Sequence, residues 1–336
     1  MRKPCASKRR HIVNYSSPNI KTWSRLGSCG AFGMAALELP KINENIVVLT
    51  ADLCFYSCLT RYKSEYPKKF FNVGIAEQNM IGIAAGMAKE GLFPYATTYA
   101  TFASMRCADQ VRVNMGYMGL NIKLIGLTAG FSVGILGPTH MSIEDIAVMR
   151  GIPNLTILSP ADCTETVKAI LASASTNSPT YIRLSGTLNN PIVYDHDYKF
   201  EIGKAIRLKE GHDVALIATG TMVYNALKAA HFLSEVGVDA AVFDFHTIKP
   251  LDLNGLDDAC RSKCIVTIEE HSVIGGLGGA VSEALSGLGY HLPHLMLGIK
   301  DNYPHAADYE YLIEKSGLHP TQIAQAIESF VKERNR

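Results

Sequence analysis

Two stretches decide the fold class: residues 46–50 (Ile-Val-Val-Leu-Thr) and residues 75–89 (Ile-Ala-Glu-Gln-Asn-Met-Ile-Gly-Ile-Ala-Ala-Gly-Met-Ala-Lys). The first is a short run of β-branched and aliphatic residues, typical of a buried strand, and the second has the length and pattern of a Gly/Ala-rich helix. Further strands are predicted at 122–127, 155–158, 181–184, 214–218, 240–245 and 264–269. Short strands that alternate with longer helices are typical of a parallel sheet with crossover helices, so the sequence predicts an α/β fold.

The chain is long enough, at 336 residues, for two domains. A break in the periodic pattern lies between Ser185 and Phe200, where Gly, Asn, Pro, Asp and His replace apolar residues. The sequence therefore predicts an N-terminal tail (1–20), a first domain (21–186), a linker (187–200) and a smaller second domain (201–336). Helices are predicted at 24–39, 142–150 and 321–333, and Asp162 is predicted near the N-cap of another helix.

Composition excludes several classes of partner. Hydrophobic residues make up 47% of the chain, and 32 basic against 31 acidic residues leave a net charge of +1, which supports neither disorder nor a basic nucleic-acid surface. No apolar run approaches a membrane span, and the polar start lacks the apolar stretch of a secretory signal. The eight scattered cysteines suit reduced thiols, and none has zinc-finger spacing. We expect a cytoplasmic protein that has no metal ligands of its own and binds neither nucleic acid nor membrane.

The densest candidate for chemistry is the segment 70–80, Phe-Phe-Asn-Val-Gly-Ile-Ala-Glu-Gln-Asn-Met. It places one carboxylate, Glu77, among apolar residues at the start of a helix. Such a residue can be a helix N-terminal charge. It can equally be a catalytic acid, because burial moves a carboxyl pKa towards the range useful for proton transfer.

Five ordered motifs of the first domain resemble the pyrimidine-binding domain of transketolase: residues 72–80, 99–102 (Tyr-Ala-Thr-Phe), 137–140 (Gly-Pro-Thr-His), 152–155 (Ile-Pro-Asn-Leu) and 159–162 (Ser-Pro-Ala-Asp). The second domain, with 246–250 and 269–278, resembles the transketolase C-terminal domain. The family also needs an N-terminal domain that holds the cofactor's diphosphate through a Gly-Asp-Gly motif, and this chain has no Asp-Gly dipeptide. The resemblance therefore implies the C-terminal subunit of a split transketolase, with a parallel-sheet pyrimidine-binding domain before a smaller α/β domain.

The resemblance implies a role for each of five residues toward thiamine diphosphate and the substrate. Glu77 would hydrogen-bond the pyrimidine ring and favour the tautomer that removes the thiazolium proton, while the cofactor supplies the nucleophile and electron sink. Tyr99 and Phe102 would wall the aminopyrimidine, although two ordinary core aromatics give the same pattern. His140 would bind substrate hydroxyls or a reaction intermediate. Asp52, after the strand 46–50, is either a cofactor contact or a turn residue.

The remaining implications concern substrate and partners. Arg25 matches a family position that contacts a sugar phosphate, whereas the Gly-rich segment 275–279 is expected to serve packing and subunit contact rather than phosphate binding. The cofactor's Mg²⁺ or Ca²⁺ would be bound mainly by an N-terminal partner subunit. Two copies of each subunit would form an α2β2 assembly that acts on sugar substrates.

The sequence departs from the family on the acceptor side. Thr128 stands where the family has His, Leu136 where it has the Asp that contacts the acceptor hydroxyl, and Gly186 where it has a phosphate-binding Arg. Tyr56 stands where a small hydroxyl residue is usual, although a one-residue gap in the alignment brings Ser57 to this position. Because hydrogen bonds to charged groups contribute about 1.5–3 kcal/mol each, we expect weak binding of sugar-phosphate acceptors. An unphosphorylated, bulkier or ketone acceptor in a specialised pathway is expected instead.

Four alternatives remain open at this point. The chain can be a conventional pentose-phosphate transketolase subunit, the β subunit of a 2-oxo acid dehydrogenase, or a deoxyxylulose-phosphate-synthase-like enzyme. It can also be a non-catalytic regulatory half that keeps the fold. Gly-Pro-Thr-His at 137–140 with Ile-Glu-Asp-Ile-Ala after it favours transketolase, and retention of Glu77, Tyr99, Phe102 and His140 argues against the regulatory reading.

Overall fold

The computed structural model describes residues 13–334 and contains two α/β units. Its strands are β1 (Ile46–Thr50), β2 (Phe70–Asn72), β3 (Phe93–Tyr99), β4 (Lys123–Ala129), β5 (Thr156–Leu158), β6 (Thr180–Ser185), β7 (Ile206–Lys209), β8 (Val214–Ala218), β9 (Ala240–Asp244), β10 (Thr247–Lys249), β11 (Ile265–Ser272) and β12 (His294–Ile299). Its helices are α1 (Ser17–Ala36), α2 (Leu39–Ile42), α3 (Thr60–Glu65), α4 (Glu77–Lys89), α5 (Ala108–Gln110), α6 (Asp145–Arg150), α7 (Cys163–Ser173), α8 (Met222–Glu235), α9 (Leu253–Ala259), α10 (Leu277–Leu288), α11 (Tyr309–Lys315) and α12 (Pro320–Arg334).

The first unit is built on a seven-stranded sheet with the order β10-β5-β6-β4-β3-β1-β2. All neighbours pair in parallel except β10, which runs antiparallel to β5. The buried strands β1 and β4 have side chains covered on both faces, as parallel sheets require. Because β10 follows the linker in sequence, a strand from the second half of the chain completes the first sheet.

The second unit has a five-stranded sheet with the order β12-β11-β8-β9-β7. Its pairs are parallel apart from β7, which is antiparallel to β9. Helices α8 and α12 pack together over a buried cluster that includes Ala226, Leu233, Ile323 and Ile327. Two α/β units with mainly parallel sheets confirm the predicted fold class. None of the helices in residues 13–334 is both long and apolar enough to span a bilayer.

Several element boundaries differ from the sequence prediction. Helix α1 begins at Ser17, inside the segment predicted as a tail, and residues 1–12 of that tail lie outside the described residues. The helix is interrupted at Gly27, which has φ 71° and ψ 179°. A Cβ at Gly27 would lie 2.8 Å from the carbonyl oxygen of Thr187, so the close approach of the linker requires glycine here. Strand β3 was not predicted, because Pro94 and a run of Ala and Thr hide its buried pattern.

A buried acidic cluster joins the two units. Asp162 caps α7 by accepting from the backbone N–H of Glu165, as predicted. The Asp244 carboxylate on β9 accepts from the Tyr194 hydroxyl at 2.7 Å, whereas its other oxygen is buried with no partner. Burial raises the pKa of both Glu165 and Asp244, which lie beside each other. We therefore expect the two carboxylates to share a proton, which would give the second Asp244 oxygen a hydrogen bond.

The shared proton makes stability depend on pH. The folded chain holds a proton that the unfolded chain releases near an ordinary carboxyl pKa of about 4, so stability falls as pH rises above that value. In Asp244→Asn the amide N–H replaces the proton toward Glu165. Between about pH 5 and about pH 8, we expect the free energy of unfolding to fall by about 1–3 kcal/mol more in wild type than in Asp244→Asn. Thermal melts at both pH values measure this, and parallel curves for the two proteins would refute the shared proton.

Candidate active site

The predicted site residues lie along one edge of the first sheet, where its parallel strands end. Tyr99 is the last residue of β3, Thr128 is near the end of β4, and Gly186 follows β6 directly. Asp52 comes two residues after β1, and Glu77 is the first residue of α4. Ligand-binding groups of α/β sheets are exposed at this edge, so the topology brings these five positions to a common face.

An aromatic cluster forms the centre of this face. The ring centroids of Tyr99 and Phe102 lie 6.0 Å apart, and that of His140 lies 5.9 Å from Tyr99 and 5.4 Å from Phe102. His140 meets both rings edge-on, a favourable arrangement for aromatic pairs. Tyr56 joins the cluster at 6.4 Å from Tyr99. The structure thus brings three predicted residues together and adds Tyr56 beside them.

His140 is oriented by its neighbour in the chain. Its Nδ1 lies 3.0 Å from the hydroxyl oxygen of Thr139, and which atom donates depends on the histidine tautomer. The loop before it contains a single 3₁₀ turn, Gly134–Leu136, so that His140 follows a tight backbone reversal rather than a regular element. The ring is half-buried and remains accessible to a ligand on its open side.

Glu77 is buried and ion-paired. Its side chain is only 4% exposed, and its Oε1 accepts from Nη1 of Arg106 at 2.7 Å. The guanidinium carbon of Arg106 also lies 4.0 Å from the centroid of the Phe102 ring. Phe102 and Arg106 are four residues apart on a π-helical turn, Phe102–Arg106, and therefore share a face. Sequence reasoning missed Arg106, although its spacing from Phe102 was a usable signal.

Asp52 is part of a turn that is hydrogen-bonded to the segment before Glu77. It has φ 58°, and its carboxylate accepts from the side-chain amide of Asn72 at 2.9 Å. The Asn72 carbonyl oxygen accepts in turn from the backbone N–H groups of Asp52 and Gly74. These bonds tie the end of β1 to the segment that leads into α4. Asp52 therefore shapes the backbone beneath Glu77, and a cofactor contact by Asp52 stays a prediction.

A cleft of about 220 Å³ lies beside this face and includes two of the predicted acceptor positions. Thr128 has φ 53°, which is unusual for a β-branched residue, and its buried hydroxyl has no hydrogen-bond partner. Burial raises the pKa of the lining Cys29 to about 12, so that this thiol stays neutral. None of the described residues that line the cleft is charged: Leu26, Gly27, Ser28, Cys29, Thr128, Ser132, Gly186, Thr187 and Leu188.

Gly186 borders this cleft, whereas Leu136 and Arg25 lie outside its lining. A Cβ at Gly186, which has φ 86°, would lie 2.7 Å from Oδ1 of Asn190. Thus the Asn190 carboxamide fills the space into which a side chain at Gly186 would point. Leu136 is 48% exposed on the turn before His140 and does not line the cleft. The Arg25 side chain is also exposed, next to the break in α1 and to Leu26, which lines the cleft, and its contact with a sugar phosphate stays a prediction.

In the Gly-rich segment 275–279, two of the backbone N–H groups that could bind a phosphate already donate to a carboxylate. The Glu269 carboxylate accepts from the backbone N–H groups of Leu277 and Gly278, at 2.7 and 2.8 Å, and so occupies the N-terminus of α10. Burial raises the pKa of Glu269 to about 7. Within residues 13–334 no group of three or more His, Cys, Asp or Glu side chains could hold a metal ion.

Comparisons with known proteins agree on one family. Two family models match: "Transketolase, pyrimidine binding domain" over residues 28–190 and "Transketolase, C-terminal domain" over residues 203–323. A putative transketolase C-terminal section from Methanocaldococcus jannaschii is 39% identical over 299 residues, which is 88% of this chain and 93% of that protein. The 6-deoxy-6-sulfo-D-fructose transketolase subunit SqwH from a Clostridium species is 39% identical over 302 residues, 89% of this chain and 92% of that protein.

A solved structure shows the same arrangement of elements. A split gene transketolase, described as an inactive β4 tetramer, superposes with a TM-score of 0.82 and is 38% identical in sequence. The match covers 91% of this chain and 98% of the other. At this level of identity and coverage the similarity extends beyond the fold to the sequence of both domains.

Proposed function

The chain belongs to the transketolase family, and from that premise we propose that it is the C-terminal subunit of a split transketolase-type enzyme. The complex transfers a two-carbon ketol unit from a ketose donor to a carbonyl acceptor by means of thiamine diphosphate. The observation that carries the proposal is the buried Glu77 carboxylate beside the Tyr99, Phe102 and His140 rings. Similarity to proteins named as transketolase subunits supports it.

The residues present fit the pyrimidine half of the cofactor. An aminopyrimidine offers a flat ring and a ring nitrogen, which match an aromatic wall and a buried carboxylate. Glu77 would hold the ring nitrogen and share a proton with it, while Phe102 and Tyr99 would pack against the ring. When bound, thiamine diphosphate supplies a nucleophilic carbon and an electron sink. His140, at the open side of the cluster, would hydrogen-bond substrate hydroxyls.

The diphosphate half of the cofactor needs a partner subunit in this proposal. The described residues offer no metal-binding group, and the one Gly-rich helix start is occupied by Glu269. We therefore assign the diphosphate and its Mg²⁺ or Ca²⁺ to an N-terminal transketolase subunit. Two copies of this chain and two of the partner would form an α2β2 assembly, in the cytoplasm, with the site at their junction. The relative described as an inactive β4 tetramer indicates that related chains associate without activity.

The acceptor in this proposal is an unphosphorylated or bulky carbonyl compound. An uncharged cleft beside the aromatic cluster supports this, because a terminal phosphate needs cationic or N–H donors. The unpartnered Thr128 hydroxyl offers a hydrogen bond to a neutral group instead. The clostridial relative is named for a sulfonated ketose, 6-deoxy-6-sulfo-D-fructose, and two further relatives are named for a phosphorylated sugar, apulose 4-phosphate, so the names support specialised substrates without supporting the loss of an anionic group.

Removal of the aromatic wall tests the cofactor assignment. Tyr99→Ala should weaken thiamine diphosphate binding by the assembled complex by about 1–3 kcal/mol, because the ring contact and its buried area are lost. Calorimetric titration in the presence of Mg²⁺ measures the change. Tyr117→Ala, at an exposed tyrosine, is the matched control. Equal cofactor affinity in wild type and Tyr99→Ala would place the pyrimidine elsewhere.

A further inference from the structure

Arg106 lies in the candidate site, but neither the sequence motifs nor the proposed function assigns it a role. It makes two contacts with the groups around which the cofactor site is proposed. Its Nη1 donates to Oε1 of Glu77 at 2.7 Å, and its guanidinium carbon lies 4.0 Å from the centroid of Phe102. Both partners are groups to which the proposed function assigns the aminopyrimidine ring.

The two contacts of Arg106 are of the same types that a bound aminopyrimidine would make: a hydrogen bond to Glu77 and packing on Phe102. A guanidinium is planar, carries N–H donors in its own plane and stacks on aromatic faces. The pyrimidine ring is likewise flat, and it would give Glu77 a hydrogen-bonding partner and pack on Phe102. A pyrimidine that used the same Glu77 oxygen and the same face of Phe102 would exclude Arg106 from both contacts.

We propose that, in the chain without cofactor, Arg106 occupies the place of the aminopyrimidine and must leave it before thiamine diphosphate can bind. This inference rests on the proposed function and assigns Arg106 the role of an internal competitor. The need to pair the buried Glu77 carboxylate explains why an arginine lies at this position. A carboxylate only 4% exposed is costly without a partner, and Arg106 provides that partner until the cofactor does.

The geometry allows Arg106 to leave. Its side chain is 44% exposed, so the guanidinium already reaches solvent on one side. The residue lies at the end of the π-helical turn Phe102–Arg106, and rotation of its long side chain moves the head group without any change in the backbone. Phe102 and Glu77, in contrast, are held by the aromatic cluster and by the start of α4.

The opposite role for Arg106 predicts the opposite sign. If Arg106 stays beside Glu77 and orients it in the loaded enzyme, its removal weakens cofactor binding. If Arg106 competes with the cofactor, its removal strengthens binding. Arg106→Ala removes both contacts, whereas Arg106→Lys keeps a charge for Glu77 but loses the planar face that lies on Phe102.

The test is calorimetric titration of the full chain, mixed with its N-terminal partner, with thiamine diphosphate and Mg²⁺. We expect Arg106→Ala to lower the dissociation constant for thiamine diphosphate about tenfold. The dissociation constant of Arg106→Lys should lie between those of Arg106→Ala and wild type. Arg112→Ala, which removes an exposed arginine paired with Asp109 on the same segment, is the control and should stay within about twofold of wild type. Thermal melts confirm that each variant is folded.

A second titration needs no partner. The isolated chain is titrated with 4-amino-5-hydroxymethyl-2-methylpyrimidine, the pyrimidine alcohol of thiamine, and Arg106→Ala should again bind more tightly than wild type. If Arg106→Ala binds as tightly as wild type or more weakly in both titrations, the inference about Arg106 is overturned and the proposed function is unaffected. If neither wild type nor any variant binds thiamine diphosphate in the complex, the proposed function fails and the inference fails with it.

Discussion

Glu77→Gln is expected to keep the fold and to lower ketol transfer by the assembled enzyme by about two to four orders of magnitude. The amide of glutamine has the size of the carboxylate but cannot share a proton with the pyrimidine nitrogen. It also cannot form the ion pair with Arg106. Because Glu77 is buried at the start of α4, the substitution exchanges one polar group for another of equal shape and should leave the packing around Met80 and Ile81 intact.

The effect is measured as kcat for a ketose donor with wild-type and variant chains, each mixed with the partner subunit. Glu90→Gln at the exposed C-terminal end of α4 is the matched control, since it makes the same chemical change outside the site. Wild-type turnover by Glu77→Gln would mean that Glu77 is only a helix N-terminal charge.

Ribose 5-phosphate is expected to be a poor acceptor, with kcat/KM at least about a hundredfold below that of an unphosphorylated or bulky carbonyl substrate. Thr128 and Gly186 stand at positions where the resemblance implies a histidine and an arginine, and no charged side chain lines the cleft in the described part of the chain. A terminal phosphate would lose two charge-assisted hydrogen bonds there. Leu136, which lies outside the cleft on the turn before His140, also offers no hydrogen-bond partner to an acceptor hydroxyl.

Leu136→Asp offers a gain-of-function version of the same prediction. Because Leu136 is 48% exposed, a carboxylate is tolerated there, and it should improve acceptors that carry a C2 hydroxyl by about tenfold. Gly186→Arg is a weaker choice, since φ 86° and the Asn190 carboxamide oppose any side chain. Use of ribose 5-phosphate by wild type at about 10⁴ M⁻¹s⁻¹ or more would indicate a conventional transketolase.

Local patterns predicted the elements that carry strong periodicity or a recognisable cap. Strand β1 matches its predicted limits, α4 starts two residues after its predicted start, and Asp162 caps α7 as its position before the helix indicated. Strand β3 escaped detection, because Pro94 interrupts an otherwise buried run. Strand β10 was not predicted either, and its place in the first sheet depends on pairing with β5, whose residues are far away in the sequence.

The sequence predicted individual candidate site residues but not the contacts between them. Glu77, Tyr99, Phe102 and His140 carry sequence motifs, whereas the bond between Glu77 and Arg106 spans 29 positions and leaves no local pattern. The Asn190 carboxamide beside Gly186 is equally invisible from the sequence, because it depends on how the linker folds back after β6. Roles that depend on side chains meeting across the sheet edge therefore required the structure.

The most direct test of the central claim is turnover of a ketose donor by this chain with and without the N-terminal transketolase subunit, in thiamine diphosphate and Mg²⁺. We expect no measurable ketol transfer from either subunit alone and robust transfer from the mixture, because the proposed site takes the pyrimidine from this chain and the diphosphate from the partner. Robust turnover by this chain alone would contradict the account, as would the absence of turnover from a mixture that forms a stable complex.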